Sequence, residues 1–273
     1  MHVAASFSQQ PVEDASRLRS AVRMENAAVV MEVRQIKRFP PVLEVSSSAS
    51  LPAGQLRSTA AWMLFTDLDL LPFYHQVARH PVMAAITRRL HGLKPTRPTS
   101  LFEMAVIAII EQQISLVAAH KARQRLVERF GEPQGRLWAF PPAERLAQAA
   151  PEQLVACGLS RQKAGYVHDL ARLVSQDQLD LTQLLSLPDE EARNFLTSLR
   201  GFGRWSAEYI LLRGLGRPDC LPLDDLAIRR VAGRYLGDGS PLASPEMEKA
   251  MAPFAPFRGL AAFYLLAYSR QSE

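Results

Sequence analysis

Cysteine is nearly absent from this chain, with two residues, Cys157 and Cys220, among 273. They stand too far apart for a metal-binding spacing, and two thiols cannot build the disulfide framework of a small secreted domain. A four-thiolate iron–sulfur cluster is excluded on the same count. Long apolar runs are missing too: the strongest, residues 104–110, is closed by Glu103 and Glu111 and is too short to cross a bilayer. The amino terminus is polar and lacks the order of a signal peptide. These absences lead us to expect a soluble, cytoplasmic protein with no membrane partner. What is present is apolar content, 48% hydrophobic residues, enough for one large or two modest domains. The net charge of +5 suits a polyanionic partner, although many basic proteins have none.

Along the chain, residues 1–26 are polar and aperiodic and are expected to be a mobile tail. Val-rich alternation over 27–34 and 41–47 predicts two strands, the second with Val42, Glu44 and Ser46 on one face and Leu43 and Val45 on the other. An apolar helix over 53–65 completes a small α+β element, residues 27–66. From 67 to 273 every periodic segment is helical, and no strand is expected beyond residue 50. Ser100 caps a helix whose centre, 102–110, is apolar all round and therefore buried, and which ends at Gln112-Gln113. The next helix carries Lys121, Arg125 and Arg129 along one face and closes at Gly131. Such a stripe is compatible with a plain solvated face. Ser160 caps another helix after Gly158, and Pro188 with Asp189, Glu190 and Glu191 opens a third with an acidic first turn.

The densest stretch is 199–231. It reads Leu199-Arg200-Gly201-Phe202-Gly203-Arg204-Trp205, then an apolar helix, then Leu221-Pro222-Leu223-Asp224-Asp225-Leu226. Two glycines around one apolar residue allow a tight connection between helices, with the N–H groups of the second helix turned toward an anion such as a phosphate. Trp205 and Tyr209 lie four apart on one helix face, either as ordinary core aromatics or as a surface on which a base stacks. Asp225 stands at a helix start. It is either an N-cap, with Asp224 competing for that place, or a carboxylate held rigid for chemistry.

This stretch resembles the helix-hairpin-helix (HhH-GPD) DNA glycosylases, specifically those of the 3-methyladenine DNA glycosylase II type. The family hairpin reads Leu-Pro-Gly-hydrophobic-Gly, and here Arg200 takes the place of the proline. The resemblance covers about residues 67–270. It implies a mainly α fold of two helical subdomains with a cleft, plus a small, partly truncated N-terminal α+β element. It also implies a monomer that binds double-stranded DNA containing alkylated bases.

By the same resemblance, Gly201, Phe202, Gly203 and Arg204 contact the DNA backbone, and Gln112 and Gln113 belong to the wedge that fills the gap left by a flipped nucleotide. Gln113 is the wedge by register, and its plainer reading is a helix end facing solvent. Trp205, Tyr209, Leu226 and Leu266 line the base pocket; relatives with a broad pocket carry tryptophan where Leu266 stands and often an aromatic at Leu226. Asp225 becomes the catalytic carboxylate, because Leu226, Ala227, Ile228, Arg229 and Arg230 follow it in the family pattern, whereas Asp224 is one residue out of register. No cofactor is required. The backbone carbonyls of Thr197, Leu199 and Phe202 correspond to those that hold Na+ or K+ in some members, and no iron–sulfur cluster is expected.

The chemistry asks for little more. Breaking an N-glycosidic bond builds positive charge on the sugar, which a fixed carboxylate stabilises. A base alkylated on a ring nitrogen is already cationic and needs no strong general acid to leave. Members that also cut the strand carry a nucleophilic lysine where this chain has Trp205, so a Schiff base at that position is excluded. Two other readings stay open: a helix-hairpin-helix module that binds DNA without catalysis, and an oxidised-purine glycosylase.

Overall fold

The computed structural model describes residues 17–24, 27–38 and 40–271. The chain opens with strands β1 (Arg17–Met24), β2 (Ala27–Lys37) and β3 (Val42–Ser47), followed by helices α1 (Ala53–Leu64), α2 (Leu71–Val77), α3 (Pro81–Arg89), α4 (Leu101–Glu111) and α5 (Leu116–Phe130). A short hairpin, β4 (Glu132–Gln134) and β5 (Leu137–Ala139), precedes α6 (Ala143–Ala147), α7 (Pro151–Ala156) and α8 (Arg161–Ser175). Then come α9 (Asp189–Ser198), α10 (Arg204–Arg213), α11 (Leu226–Leu236), α12 (Ser244–Met251) and α13 (Arg258–Gln271). The elements fall into two compact units. One comprises residues up to 65 with 96–186, and the other 66–95 with 187–273.

The first unit corrects the sequence reading in two places. Residues 17–24, expected within a mobile tail, form β1, which pairs antiparallel with β2 along its whole length and gives the order β1-β2-β3. The period-2 pattern is there, with Leu18, Ser20, Val22 and Met24 buried, but arginines fill most of the opposite face and make the segment look merely polar. Arg17 and Arg19 both reach Glu32 on β2, at 3.3 and 3.5 Å. The rest of the expected tail, residues 1–16 and 25–26, and Phe39 in the predicted turn lie outside the described residues. The second correction is the β4–β5 hairpin, a pair of strands beyond residue 50. Three residues per strand are too few for a periodicity to register.

That hairpin explains why the small sheet does not stand apart from the helices that follow it. Arg23 on β1 pairs with Glu132 at 2.6 Å, and the same carboxylate accepts the Ala28 N–H at 3.4 Å. Ala21 and Ala28 of the sheet share a small apolar cluster with Leu137 and Ala139 of the hairpin. The other face of the sheet packs on α1, through Leu18, Val22, Val29, Met31 and Val33 against Ala60, Met63 and Leu64. In α4 the side chain of Ser100 accepts the Glu103 N–H, and the Glu103 carboxylate accepts the Thr99 N–H and hydroxyl. Ser100 is thus a side-chain N-cap, and the Glu103 carboxylate secures Thr99, the residue just ahead of the cap.

In the second unit α2, α3 and the C-terminal helices share one core, with Phe73, Met83, Met251, Phe254 and Tyr264 fully buried. A buried hydroxyl needs partners. Tyr264 donates to the Leu93 carbonyl at 2.7 Å and lies 3.2 Å from the Tyr74 hydroxyl, which itself accepts the Gly92 N–H at 2.8 Å. Burial pushes the Tyr264 phenol well above its ordinary pKa, so it remains a donor. The start of α13 is clamped to the connector before α11. Arg258 takes both oxygens of Asp219, at 2.9 and 2.5 Å, and Leu260 N–H donates to Pro218. The approach is so close that a Cβ on Gly259 would stand 2.0 Å from the Cys220 carbonyl oxygen. Gly259→Ala is therefore expected to cost about 1–3 kcal/mol in urea unfolding. Gly165→Ala, inside α8 with open space around it, is expected to stabilise by up to about 1 kcal/mol.

Candidate active site

The hairpin joins α9 to α10 through residues 199–203. Gly201 sits at φ +93°, in the left-handed region that side chains avoid, so this glycine is set by the backbone. Gly203 is different. It caps α10 at φ −102° and ψ −175°, an extended conformation open to any residue, and a Cβ there would meet nothing within 4 Å. The lack of a side chain leaves the start of α10 uncovered, where first-turn N–H groups have no acceptor within the helix. Phe202 is buried between the two glycines, and Arg204 is exposed at the first position of α10. Across the two helices, Arg193 on α9 donates to the buried Glu208 on α10 at 2.8 Å and also pairs with Glu190. Sequence offers no signal for the Arg193–Glu208 pair, since the partners stand on different helices.

Asp225 is the N-cap of α11. One carboxylate oxygen, Oδ1, accepts the N–H groups of Ala227 and Ile228, both at 2.9 Å. The other, Oδ2, accepts the indole N–H of Trp205 at 2.9 Å. An ionised carboxylate offers roughly four acceptor positions, so three are filled and one remains, on Oδ2. Asp224, the competitor for the cap, is exposed and accepts the Ser244 hydroxyl at 2.7 Å instead.

Trp205 and Tyr209 lie against each other, ring centroids 5.0 Å apart and planes 18° from parallel. Both are half-buried. A pair stacked in this way cannot sandwich a base between its members, so a base meets the outside or the edge of the stack. Leu226, next to the carboxylate, is 70% exposed and therefore free to touch a ligand. Leu266 is half-buried on α13 and packs against the core of its unit. Asp225, Trp205 and Tyr209 are thus joined by direct contacts, with Leu226 adjoining them in the chain. Gln112 and Gln113 belong to the other unit, at the C-terminal end of α4. No group of three or more His, Cys, Asp or Glu side chains able to hold a metal occurs among the described residues.

Residues 106–256 match the model of the HhH-GPD superfamily base excision DNA repair proteins. The chain belongs to that superfamily. It is 29% identical over 203 residues to the DNA-3-methyladenine glycosylase of Bacillus subtilis, an overlap of 73% of this chain and 67% of the relative. Against two further relatives, from Bacillus subtilis and Mycobacterium tuberculosis, it spans 64% and 42% of their length. Among solved structures, the 3-methyladenine DNA glycosylase from Archaeoglobus fulgidus superposes with a TM-score of 0.82 at 28% identity, covering 94% of this chain and 88% of that one. The Schizosaccharomyces pombe 3-methyladenine DNA glycosylase, solved with abasic DNA, gives 0.63 at 26% identity over 73% of this chain and 97% of its own. The small sheet, α1 and the ends of the chain lie outside the matched family segment.

The capping bonds give a stability expectation that does not depend on function. Asp225→Ala should cost about 1–2 kcal/mol in chemical denaturation, and Asp225→Asn distinctly less, because the amide oxygen still accepts from the helix. An equal cost for Asp224→Ala would contradict the assignment of the cap.

Proposed function

We propose that this chain is a monofunctional DNA glycosylase of base excision repair, which extrudes alkylated purines such as 3-methyladenine and 7-methylguanine and hydrolyses their N-glycosidic bond. The observation that carries this reading is the Asp225 carboxylate, immobilised by three hydrogen bonds and bonded directly to an aromatic stack. As the bond to the departing base lengthens, positive charge develops on the sugar. A preoriented carboxylate stabilises it without having to reorganise. The open acceptor position on Oδ2 is free to face the sugar or to orient the attacking water. The Trp205–Tyr209 stack and the exposed Leu226 supply an apolar surface for the flipped base, which stacking holds whatever its edge pattern.

Trp205 also bears on the type of reaction. The position that would carry a lysine in strand-cutting members donates an indole N–H to the carboxylate, and an indole cannot form a Schiff base. The product is an abasic site in an uncut strand. The hairpin binds the DNA backbone through the start of α10, with Arg204 beside it. We propose further that the carbonyls of Thr197, Leu199 and Phe202 take a monovalent cation, Na+ or K+, which would add positive charge near the phosphate. Leu199 O accepts the Phe202 N–H at 3.2 Å, which leaves its second lone pair for such an ion.

Two experiments test this. On duplexes carrying 3-methyladenine, 7-methylguanine, hypoxanthine or ethenoadenine, the wild type should release the base and leave the strand intact until alkali is added. Asp225→Asn should retain lesion binding while excision falls by about 2–4 kcal/mol of transition-state stabilisation, and Asp224→Asn should lose far less. Near wild-type excision by Asp225→Asn would reduce Asp225 to a cap; no excision by any form would favour a non-catalytic module. The second test is Gly203→Asp. The backbone there accepts aspartate without strain, so the fold should hold, while a carboxylate beside the phosphate should weaken binding to every duplex alike. Unchanged binding by this folded variant would remove the hairpin from the interface.

A further inference from the structure

In the unit that does not contain Asp225, the turn between α4 and α5 adopts a conformation that needs explaining. α4 ends at Glu111 with Gln112 as its C-cap, the chain reverses at Gln113 with φ +52°, and Ser115 caps α5 by accepting the Ala118 N–H. A residue with a Cβ is disfavoured in the left-handed region and persists there only where its surroundings over-determine it. Gln113 is exposed, so its own side chain is not packed into place by the protein.

The determining contact comes from α8. Lys163 Nζ donates to two backbone carbonyls at the end of α4, Ile110 at 2.8 Å and Gln112 at 2.5 Å. These carbonyls lie in the last turn, where a helix leaves acceptors without partners and carries partial negative charge. α4 has no basic residue of its own in that turn. Lys163, by contrast, is badly placed for its own helix. It is the third residue of α8, with its N–H on the Ser160 hydroxyl, so its charge opposes the dipole there. It is also half-buried, and that desolvation lowers the ammonium's pKa. Two unfavourable terms at one cation are offset by the two carbonyls it grips. The grip borders a cavity of about 310 Å³, lined in part by Gln112, Gln113, Ser160 and Lys163.

We infer that Lys163 is a positioning residue for Gln113: by tying down the carbonyl end of α4 it holds Gln113 in the conformation from which that side chain enters the duplex. The inference rests on the glycosylase reading above, in which Gln113 fills the gap left by an extruded nucleotide. A turn held by two charge-assisted bonds presents the wedge already in shape, so the cost of ordering it is not met at each encounter with DNA.

The test compares Lys163→Met, Gln113→Ala, the double variant and Lys163→Arg. One readout is single-turnover excision from a duplex lesion. The other is the fluorescence of 2-aminopurine placed opposite an abasic analogue, which reports insertion without chemistry. Each single variant should lower duplex excision by about ten- to a hundredfold and reduce the fluorescence response. The double variant should be no worse than Gln113→Ala alone, since both act through one side chain, and Lys163→Arg should recover most of the loss. Losses that multiply, or wild-type behaviour by Lys163→Met in both readouts, would overturn the inference. Lys163→Gln is run alongside, and if both neutral variants lose cooperative melting, the lysine is a folding residue and the inference falls. A wild type that excises nothing but still raises the 2-aminopurine signal, with Lys163→Met failing to do so, would sink the glycosylase reading and leave the positioning role standing. If the wild type shows neither response, both fail.

Discussion

Everything at the candidate site depends on one carboxylate having two jobs. Asp225 begins α11 through Oδ1 and at the same time receives the indole of Trp205 from α10 on Oδ2, so the carboxylate that caps one helix is also bonded to another. Either task alone is ordinary. Together they remove the rotational freedom a surface aspartate would have, which is the freedom an enzyme must suppress for a charge to act without reorganising. The same bond orients Trp205, and through it the stack with Tyr209, so a single contact sets both the charge and the aromatic surface.

That contact is only as rigid as the connector that brings α11 back to α10. Arg217 anchors one side of it to Asp189 at the start of α9, and the Arg258–Asp219 pair anchors the other to α13. Cys220, next to Asp219 and with its thiol on the Asp189 carboxylate, is buried, and that burial raises its pKa. The hydroxyl chain from Leu93 through Tyr264 and Tyr74 to Gly92 then joins α13 to the 66–95 segment. A segment far away in the chain is in this way part of the frame that holds Asp225.

The two glycines of the hairpin illustrate how one motif serves two physical ends. Gly201 stands where the turn passes through positive φ; Gly203 stands in extended backbone and leaves the start of α10 uncovered. At the end of α4 the chain uses a costlier device, a glutamine in the left-handed region, and meets that cost with a lysine borrowed from α8. A glycine would take the same turn freely but would carry no side chain to present.

Much of this was legible in the sequence because the signals are local. The helix caps at Ser100, Ser160 and Asp225, the hairpin glycines, and the four-residue spacing of Trp205 and Tyr209 each follow from residues within one or two turns of one another. β1 escaped notice because three arginines mask its alternation, and β4–β5 because strands of three residues have no period to read. By itself the sequence determined the helical class and the hairpin, and narrowed the head of α11 to Asp224 or Asp225, a choice the capping bonds to Asp225 settle. Only the tertiary structure decided that Trp205 donates to Asp225, that the two aromatics stack on each other rather than around a ligand, and that Lys163 closes α4. Those contacts join residues 20 or more apart in the chain, or depend on how two side chains divide one space, and neither is encoded in local spacing.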